Sequence, residues 1–395
     1  LELNPSHNEA KLHCAMITKD RGLLREAKAY FLGISKLEDK NENVAIGLAN
    51  IFHQLGDFKD AIDIFERVIK LNPKNKMAFH YLGLCLVTIG VFEVGWKAIE
   101  SRWNDEDRGN STWFKKIKKM WTGDKTIKSI LLFRRRQGIG EDIIFLSLVP
   151  EVKEMCRSVS VYVDPRLLPL CRRAMPGINF VEGIEELKSV NSDYYLPLGR
   201  LPGLIRNDIS DFDRTVTGYL KADPQRVEAI RKELQLDGKR VIGISWKSFN
   251  TRYETKSVQL KDMEDMFSGL DVVLVNLQYG DVDDEIRAFR EETGIEVLQC
   301  ASVDNREDLD GLAALIEVCD LVISTSNVTV HMAGALAKET WVLLPYVMVN
   351  FWWLLERPDS IWYPTLRLYR QQTLNDWNGV YSAIRKDLQR KLIKT

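Results

Sequence analysis

The chain has 395 residues, a length typical of two or three domains, and its 45% hydrophobic and 28% charged residues are ordinary for a globular protein with real cores. A formal net charge of −1 argues against nucleic-acid binding through a basic surface. The longest apolar stretch, residues 341–355, contains Pro345 and Asn350 and is too short to cross a bilayer, so we expect no membrane span.

The six cysteines are scattered without a Cys-x-x-Cys pair, and the five histidines do not cluster with them. We therefore expect reduced thiols in a cytoplasmic protein and no structural zinc. The chain starts at Leu1 without an initiator Met or a signal peptide, and Leu3-Asn4-Pro5 resembles the end of a repeat unit. We expect a fragment of a longer protein with further repeats upstream.

An internal repeat of 34 residues occupies the first part of the chain. Gly22, Gly56 and Gly90 keep this period. Small and aromatic residues keep it too, namely Ala15, Ala49 and Gly83, then Ala27 and Ala61, then Phe31 and Phe65. Such a period, with small residues where helices cross, is typical of tetratricopeptide (TPR) repeats. The pattern weakens in the third unit, where Gly95 and Ile99 replace the Ala and Phe.

Residues 1–105 are thus predicted to form stacked helix pairs whose concave face binds an extended peptide or a partner protein. The alternative is that so few repeats cap the rest of the chain or mediate assembly into a homo-oligomer. Residues 106–127 are predicted to be a linker.

Strands and helices alternate from residue 128 to residue 371, which is the pattern of an α/β fold. We predict two Rossmann-like lobes in series, over residues 128–235 and 236–371, with a ligand in the cleft at the carboxyl ends of the strands. Residues 372–395 are predicted to form a C-terminal packing helix, with a crossing back onto the first lobe as an open alternative.

The phrase from Val322 to Leu336 points to an anion site. An apolar strand ends in Ser324-Thr325-Ser326-Asn327, and a helix of small residues follows. The first N–H groups of a helix are unpaired and its dipole favours negative charge, so this helix start can hold a phosphate. An ordinary helix cap at Ser326 and Asn327 is the alternative.

Several phrases resemble GT-B glycosyltransferases, in particular the bacterial tetratricopeptide-repeat glycosyltransferases with a heptosyltransferase-like catalytic region. The phrases are Gln137-Gly138-Ile139-Gly140-Glu141-Asp142, Gly243-Ile244-Ser245-Trp246-Lys247-Ser248, Val275-Asn276-Leu277-Gln278-Tyr279-Gly280-Asp281, residues 308–316, the phrase just described, Trp341-Val342-Leu343-Leu344-Pro345, Trp362-Tyr363-Pro364 and residues 366–371. The resemblance implies a nucleotide-sugar donor bound by the second lobe, an acceptor approaching across the first lobe, and no cofactor or bound metal. The second lobe also contains no suitably placed Asp-x-Asp motif.

In the first lobe, the Gly138-Ile139-Gly140 turn is predicted to let the backbone approach a ligand closely. The resemblance implies that the carboxylate after the second glycine is the catalytic base, and Glu141 stands there with Asp142 next. Either carboxylate can take a proton from an acceptor hydroxyl. The order departs from the Asp-first pattern of the family, and capping of the following helix is an equally weighted alternative.

The donor is predicted to contact the second lobe through eight residues: Ser245, Lys247, Gln278, Tyr279, Ser326, Asn327, Thr329 and His331. Lys247 supplies a cation for the phosphates, and Tyr279 stacks on the nucleotide base. His331 lies in the first turn of the helix, where its cationic form is disfavoured, so we predict a neutral imidazole at pH 7. The family often has an aspartate where this chain has Ser326, which implies a different sugar or weaker activity.

Two further groups are ambiguous from sequence. Arg134-Arg135-Arg136 is either a solvated turn or a site for an acidic sugar or a phosphate. The aromatic residues near the cleft are interpreted mostly as packing, with one stacking on a sugar; they are Trp352, Trp353, Trp362 and Tyr363.

The leading hypothesis is a metal-independent, inverting glycosyltransferase that modifies Ser or Thr hydroxyls of a polypeptide recruited by the repeats, such as flagellin or another surface protein. Transfer to a lipid-linked or polysaccharide acceptor is the second hypothesis. The third is a catalytically silent binding protein.

Overall fold

The computed structural model describes residues 8–35, 41–100, 119–124, 127–135, 138–248, 256–347 and 352–393. Most of the predicted linker, together with Arg136 and Gln137, lies outside these ranges. The described part consists of an N-terminal helical array followed by two parallel β-sheets, each flanked by helices.

Three helical hairpins form the array. Their helices are α1 (Asn8–Asp20), α2 (Leu24–Ser35), α3 (Glu42–Leu55), α4 (Phe58–Leu71), α5 (Lys76–Thr88) and α6 (Phe92–Glu100). The three first helices start 34 residues apart, as do the three second helices, which is the period predicted from the sequence. Gly22, Gly56 and Gly90 end the first helices with positive φ, a conformation that glycine adopts without strain.

The third hairpin crosses more tightly than the other two. A Cβ at position 83 would lie 2.6 Å from the Gly95 carbonyl oxygen, and a Cβ at position 95 would lie 2.6 Å from Cγ2 of Val87. Where the first two hairpins use buried alanines at the crossing, this one needs glycine on both helices. The change from the repeat pattern in this unit therefore reflects a closer helix approach.

The first lobe contains β1 (Lys119–Met120), β2 (Ile127–Phe133), α7 (Ile139–Leu146), α8 (Val149–Met155), β3 (Cys156–Tyr162), α9 (Leu168–Ala174), β4 (Asn179–Phe180), α10 (Ile184–Ser189), β5 (Tyr194–Pro197) and α11 (Leu201–Ile205). All pairs of its sheet are parallel, in the order β1-β5-β2-β3-β4. Buried apolar runs such as Ile130–Phe133 explain the parallel sheet, since helices cover both faces. The lobe is joined to the array by Trp96, whose indole N–H donates to the Arg206 carbonyl oxygen at 2.7 Å.

The second lobe follows α12 (Pro224–Glu233). It contains β6 (Val241–Ser245), α13 (Glu264–Phe267), β7 (Val273–Asn276), α14 (Asp283–Thr293), β8 (Val297–Leu298), α15 (Leu309–Glu317), β9 (Leu321–Thr325), α16 (Val328–Ala335), β10 (Thr340–Leu344), β11 (Leu366–Arg370) and α17 (Asn378–Ile393). The sheet order is β11-β10-β9-β6-β7-β8, all parallel. Two Rossmann-like lobes were predicted, and this order is the doubly wound order of a Rossmann lobe.

The C-terminal helix is a packing helix, as predicted. Helix α17 packs on the second lobe, where Ile384 and Leu388 join the core formed by β6, β7 and β9. Arg385 donates to the carbonyl oxygens of Asp265 at 2.5 Å and Ser268 at 3.0 Å. The alternative crossing to the first lobe is not observed, because the apolar side of α17 covers α13 and β11 of its own lobe.

Candidate functional site

The second sheet reverses its winding between β6 and β9, which are neighbours in the sheet although three strands apart in sequence. A reversal of this kind opens a crevice beyond the carboxyl ends of the two strands, and ligands of doubly wound folds bind there. Ser245 ends β6 and Lys247 follows it, while Asn327 caps the helix that follows β9. The structure thus brings these three predicted residues to one edge of the sheet.

Hydrogen bonds connect the ends of three strands at this edge. The amide oxygen of Gln278 accepts from the Ser245 hydroxyl at 3.0 Å and from the backbone N–H groups of Trp246 and Lys247 at 2.9 Å. The Asn327 amide donates to the Ser245 hydroxyl at 2.7 Å and, through its oxygen, accepts from the Thr329 N–H at 2.9 Å. These buried, uncharged groups hold the start of α16 in a fixed position.

Ser326 and His331 share an aromatic neighbour. The indole N–H of Trp353 donates to the Ser326 hydroxyl at 2.8 Å, and its ring stacks on His331 with centroids 5.6 Å apart and planes at 10°. Nδ1 of His331 lies 3.2 Å from the Tyr363 hydroxyl. Trp353 is 1% exposed. It therefore packs on His331, in line with the prediction that most aromatic residues near the cleft serve packing.

His331 is neutral, as predicted, but for a different main reason. Burial lowers the pKa of His331 to about 3, and the positive charge of Lys256 lowers it further in the same direction. A helix start contributes to the same preference, but desolvation dominates for a side chain that is 6% exposed.

The two lobes touch where α7 meets α16. A Cβ at position 140 would lie 2.7 Å from Cδ2 of His331 and 3.3 Å from its Nε2. Gly140 is therefore explained by close packing between the lobes. Gly138, by contrast, faces open space, with nothing within 4 Å of a built Cβ.

The two candidate catalytic carboxylates occupy different environments. Glu141 is half-buried, and its carboxylate accepts from the Gly138 N–H at 2.9 Å, which caps α7. Asp142 is fully buried and pairs with the guanidinium of Arg134 at 2.8 Å. Of the two, only Glu141 has exposed surface through which an acceptor can approach.

Arg134 matches neither interpretation of the arginine run. It pairs with Asp142 and, at 3.0 Å, with Asp164. It therefore ties helix α7 to the residues that follow β3. Arg166 continues the chain of charges from Asp164 to Glu307 of the second lobe, at 2.9 and 3.3 Å. Arg136, the third arginine of the run, is outside the described residues.

Two lysines lie near the edge of the second sheet. The ammonium of Lys247 pairs with Glu285 in the first turn of α14, which also accepts from the Trp246 indole at 2.8 Å. Lys256 is 7% exposed, and burial lowers its pKa to about 8. Lys256 was not predicted as a site residue, because it follows a polar stretch that carries no periodic signal.

The remaining predicted residues are also at this edge. Thr329 is buried, and its hydroxyl donates to the Leu277 carbonyl oxygen at 3.3 Å. Tyr279 is half-buried, and its carbonyl oxygen accepts from the Gln278 amide at 3.0 Å. Tyr279 thus lies beside the network and is partly exposed.

No group of three or more His, Cys, Asp or Glu side chains with metal-ligating geometry occurs within the described ranges. In the same part of the chain, no helix has the length and apolar character needed to cross a bilayer.

Comparisons with known proteins agree with this architecture. Residues 45–75 match the family model of the tetratricopeptide repeat. A curated relative, Protein FlbA of Caulobacter vibrioides, is 27% identical over 324 residues, which are 76% of this chain and 52% of the relative. The chain thus spans about half the length of the curated relative it matches.

Among solved structures, E. coli ADP-heptose lipopolysaccharide heptosyltransferase II is similar with a TM-score of 0.50 at 12% identity, over 68% of this chain and 99% of that chain. The glycosyl transferase family 9 protein of Veillonella parvula has a TM-score of 0.47 at 12% identity, over 68% of this chain and 98% of its own. The chain joins tetratricopeptide repeats to a heptosyltransferase-like GT-B fold.

Proposed function

We propose that the chain is an inverting GT-B glycosyltransferase that moves a sugar from a nucleotide-activated donor to a hydroxyl of a polypeptide, without a bound metal. The observation that carries the proposal is the start of α16 at the reversal between β6 and β9. There, an Asn327-capped helix start lies beside neutral donor groups, and the charge of the buried Lys256 acts on His331 in its first turn. This combination suits the diphosphate of a nucleotide sugar.

In this proposal, the leaving diphosphate is stabilised by the first N–H groups of α16 and by the Lys256 ammonium. Lys247 is a second cation at the same edge, where it also pairs with Glu285. Tyr279 stacks on the nucleotide base from the β7 side. Neutral His331 can donate a hydrogen bond to the donor without adding charge.

Glu141 is proposed as the base. As the acceptor oxygen attacks the anomeric carbon, the Glu141 carboxylate takes the hydroxyl proton, and the bond to the diphosphate oxygen breaks. Asp142 is proposed to act indirectly, since its buried pair with Arg134 fixes the start of α7 and hence the position of Glu141.

The repeats are proposed to recruit the acceptor polypeptide through their concave face. They also pack on the first lobe through Trp96, so recruitment would place a bound chain next to the enzyme region. The polypeptide nature of the acceptor rests on the repeats and on no residue of the cleft.

Thermal melting with uridine, guanosine, cytidine and adenosine diphosphates tests the donor site. One nucleotide should raise the melting temperature, since a ligand at one hundred times its Kd stabilises by about 2.7 kcal/mol. Lys256→Ala and Lys247→Ala should each reduce that gain, because each removes a cation from this edge of the sheet. Stabilisation by none of the four nucleotides would support the alternative of a catalytically silent shell.

A further inference from the structure

One segment touches both the repeats and the candidate donor site. This bridging segment consists of residues 345–347 and 352–355, which follow β10. Its contacts on the two sides come from different side chains, so each side can be altered separately.

On the repeat side, the segment packs against the second hairpin. A Cβ at Gly56, in the turn between α3 and α4, would lie 3.4 Å from Cγ2 of Val347 and 3.6 Å from the ring of Tyr346. Val347 and Leu355 both pack against the buried cluster of the repeats. Two separated parts of the segment therefore rest on the same helical core.

On the site side, the same segment supplies Trp353. Its indole donates to Ser326 at 2.8 Å, one residue before the cap of α16, and its ring stacks on His331 in the first turn of that helix. Trp353 thus contacts the helix start both before and after its cap. A shift of this ring would move the groups proposed to meet the diphosphate, because a close-packed interior transmits displacement.

Arg370 holds the segment together. Its guanidinium donates to the carbonyl oxygens of Pro345 at 3.3 Å, Trp353 at 3.3 Å and Leu354 at 3.1 Å, which belong to both ends of the segment. The side-chain oxygen of Gln371 accepts from the Tyr346 N–H at 3.1 Å. The segment is therefore clasped at both ends, and its repeat-facing and site-facing side chains are held in one fixed relation.

We propose that the second repeat hairpin positions the donor site: it supports the bridging segment, which holds the positioning residue Trp353 against Ser326 and His331. The repeats are then part of the site's scaffold, in addition to any role in recruitment. The inference deepens the proposed function and rests on it only for the nature of the ligand.

The chain offers a matched pair of leucines for the test. Leu355 and Leu374 are both half-buried and both pack against the repeat cluster, but only Leu355 belongs to the bridging segment. Leu355→Ala and Leu374→Ala in the full chain remove the same atoms from the same interface. Val347→Ala is a milder second variant on the segment.

Hydrogen exchange of amides 326–331 is the primary measurement, since it needs no ligand. We expect Leu355→Ala and Val347→Ala to speed exchange there by about tenfold and severalfold respectively, whereas Leu374→Ala leaves it at the wild-type rate. Equal effects of the two leucine variants, or no effect of either segment variant, would overturn the proposal.

Nucleoside diphosphate affinity is the second measurement. Leu355→Ala should weaken the binding of the nucleotide that stabilises the wild type, and Leu374→Ala should not. If the wild type binds none of the four diphosphates, the proposed function fails while the exchange result still decides whether the repeats position α16.

Discussion

The two lobes present different electrostatics to the cleft. In the first lobe, Arg134 lies between Asp142 and Asp164, so its charges are used in structural ion pairs. In the second lobe, the start of α16 is surrounded by uncharged donors, a neutral His331 and the buried Lys256. The difference teaches that charge in the sequence is a poor guide to a candidate anion site, because Arg134 of the arginine run already pairs with two carboxylates of its own lobe.

The largest expected effect concerns the two adjacent carboxylates. Glu141→Gln removes the proposed base, so we expect transfer to fall by roughly 10²–10⁴-fold. Melting should change little, because the cap that Glu141 forms on α7 is half-buried and a glutamine can also accept this hydrogen bond. The measurement is the single-turnover rate of sugar transfer, with donor hydrolysis as the readout if no acceptor is in hand. A variant with wild-type turnover would remove Glu141 from the mechanism.

Asp142→Asn, unlike Glu141→Gln, should act mainly on the stability of the protein. It leaves the Arg134 guanidinium beside a neutral amide in a buried site, so we expect a loss of about 3 kcal/mol in the free energy of unfolding. Urea denaturation followed by circular dichroism measures this loss. If Asp142→Asn is as stable as the wild type, the first-lobe charges are not structural and the contrast between the lobes fails.

Removal of Lys256 tests whether the second lobe supplies a cation to the candidate anion site. Lys256→Ala should weaken binding of the stabilising nucleoside diphosphate by about tenfold or more, the cost of losing a charge-assisted hydrogen bond. Lys338→Ala is the control, since this half-buried lysine of the same lobe pairs with Glu317 just beyond the other end of α16. Equal losses in the two variants, measured by calorimetry, would show a general effect of charge.

The contact between the two lobes at Gly140 predicts a smaller effect, on stability, and Gly138 offers a matched control. Gly140→Ala places a methyl group against His331, so we expect a loss of about 1–3 kcal/mol in stability. Gly138→Ala faces open space at an ordinary φ of −75° and should stay within about 0.5 kcal/mol of the wild type. Thermal melts of both variants decide the matter; similar melting temperatures would contradict the packing explanation.

The smallest effect is the pH dependence of binding. Burial lowers the pKa of Lys256 to about 8, so the cationic form that binds phosphate is lost as pH rises through that value. Affinity should therefore fall by less than tenfold per pH unit above pH 8, and Lys256→Ala should remove the dependence. The phosphates themselves are already ionised there, since their last pKa is near 6. An unchanged profile in Lys256→Ala would assign the titration to another group.

Much of the fold could be predicted from the sequence, because it depends on periodic patterns. The 34-residue spacing of Gly22, Gly56 and Gly90 predicted the helical hairpins, and the alternation of apolar strands with helices predicted the two α/β lobes. The strands β1, β5, β8 and β11 were not predicted, since each is only two to five residues long and gives little periodic signal. The position of α17 depended on long-range packing, which no local pattern carries.

The site was predictable only where a residue adjoins a strand end. Ser245, Gln278 and Asn327 follow strands in sequence, so the parallel sheet brings them together. Lys256 and Trp353, by contrast, do not adjoin the end of a strand in sequence, and Trp353 meets the candidate site through Ser326. The burial of Asp142 and its pairing with Arg134 were equally hidden, because they depend on tertiary contacts.

A crystal structure with the nucleoside diphosphate that most stabilises the protein tests the central claim most directly. The account predicts the diphosphate between the ends of β6 and β9, with its oxygens within hydrogen-bond distance of the first N–H groups of α16 and of the Lys256 ammonium. Density for the diphosphate on the arginines of the first lobe, with the start of α16 unoccupied, would contradict it.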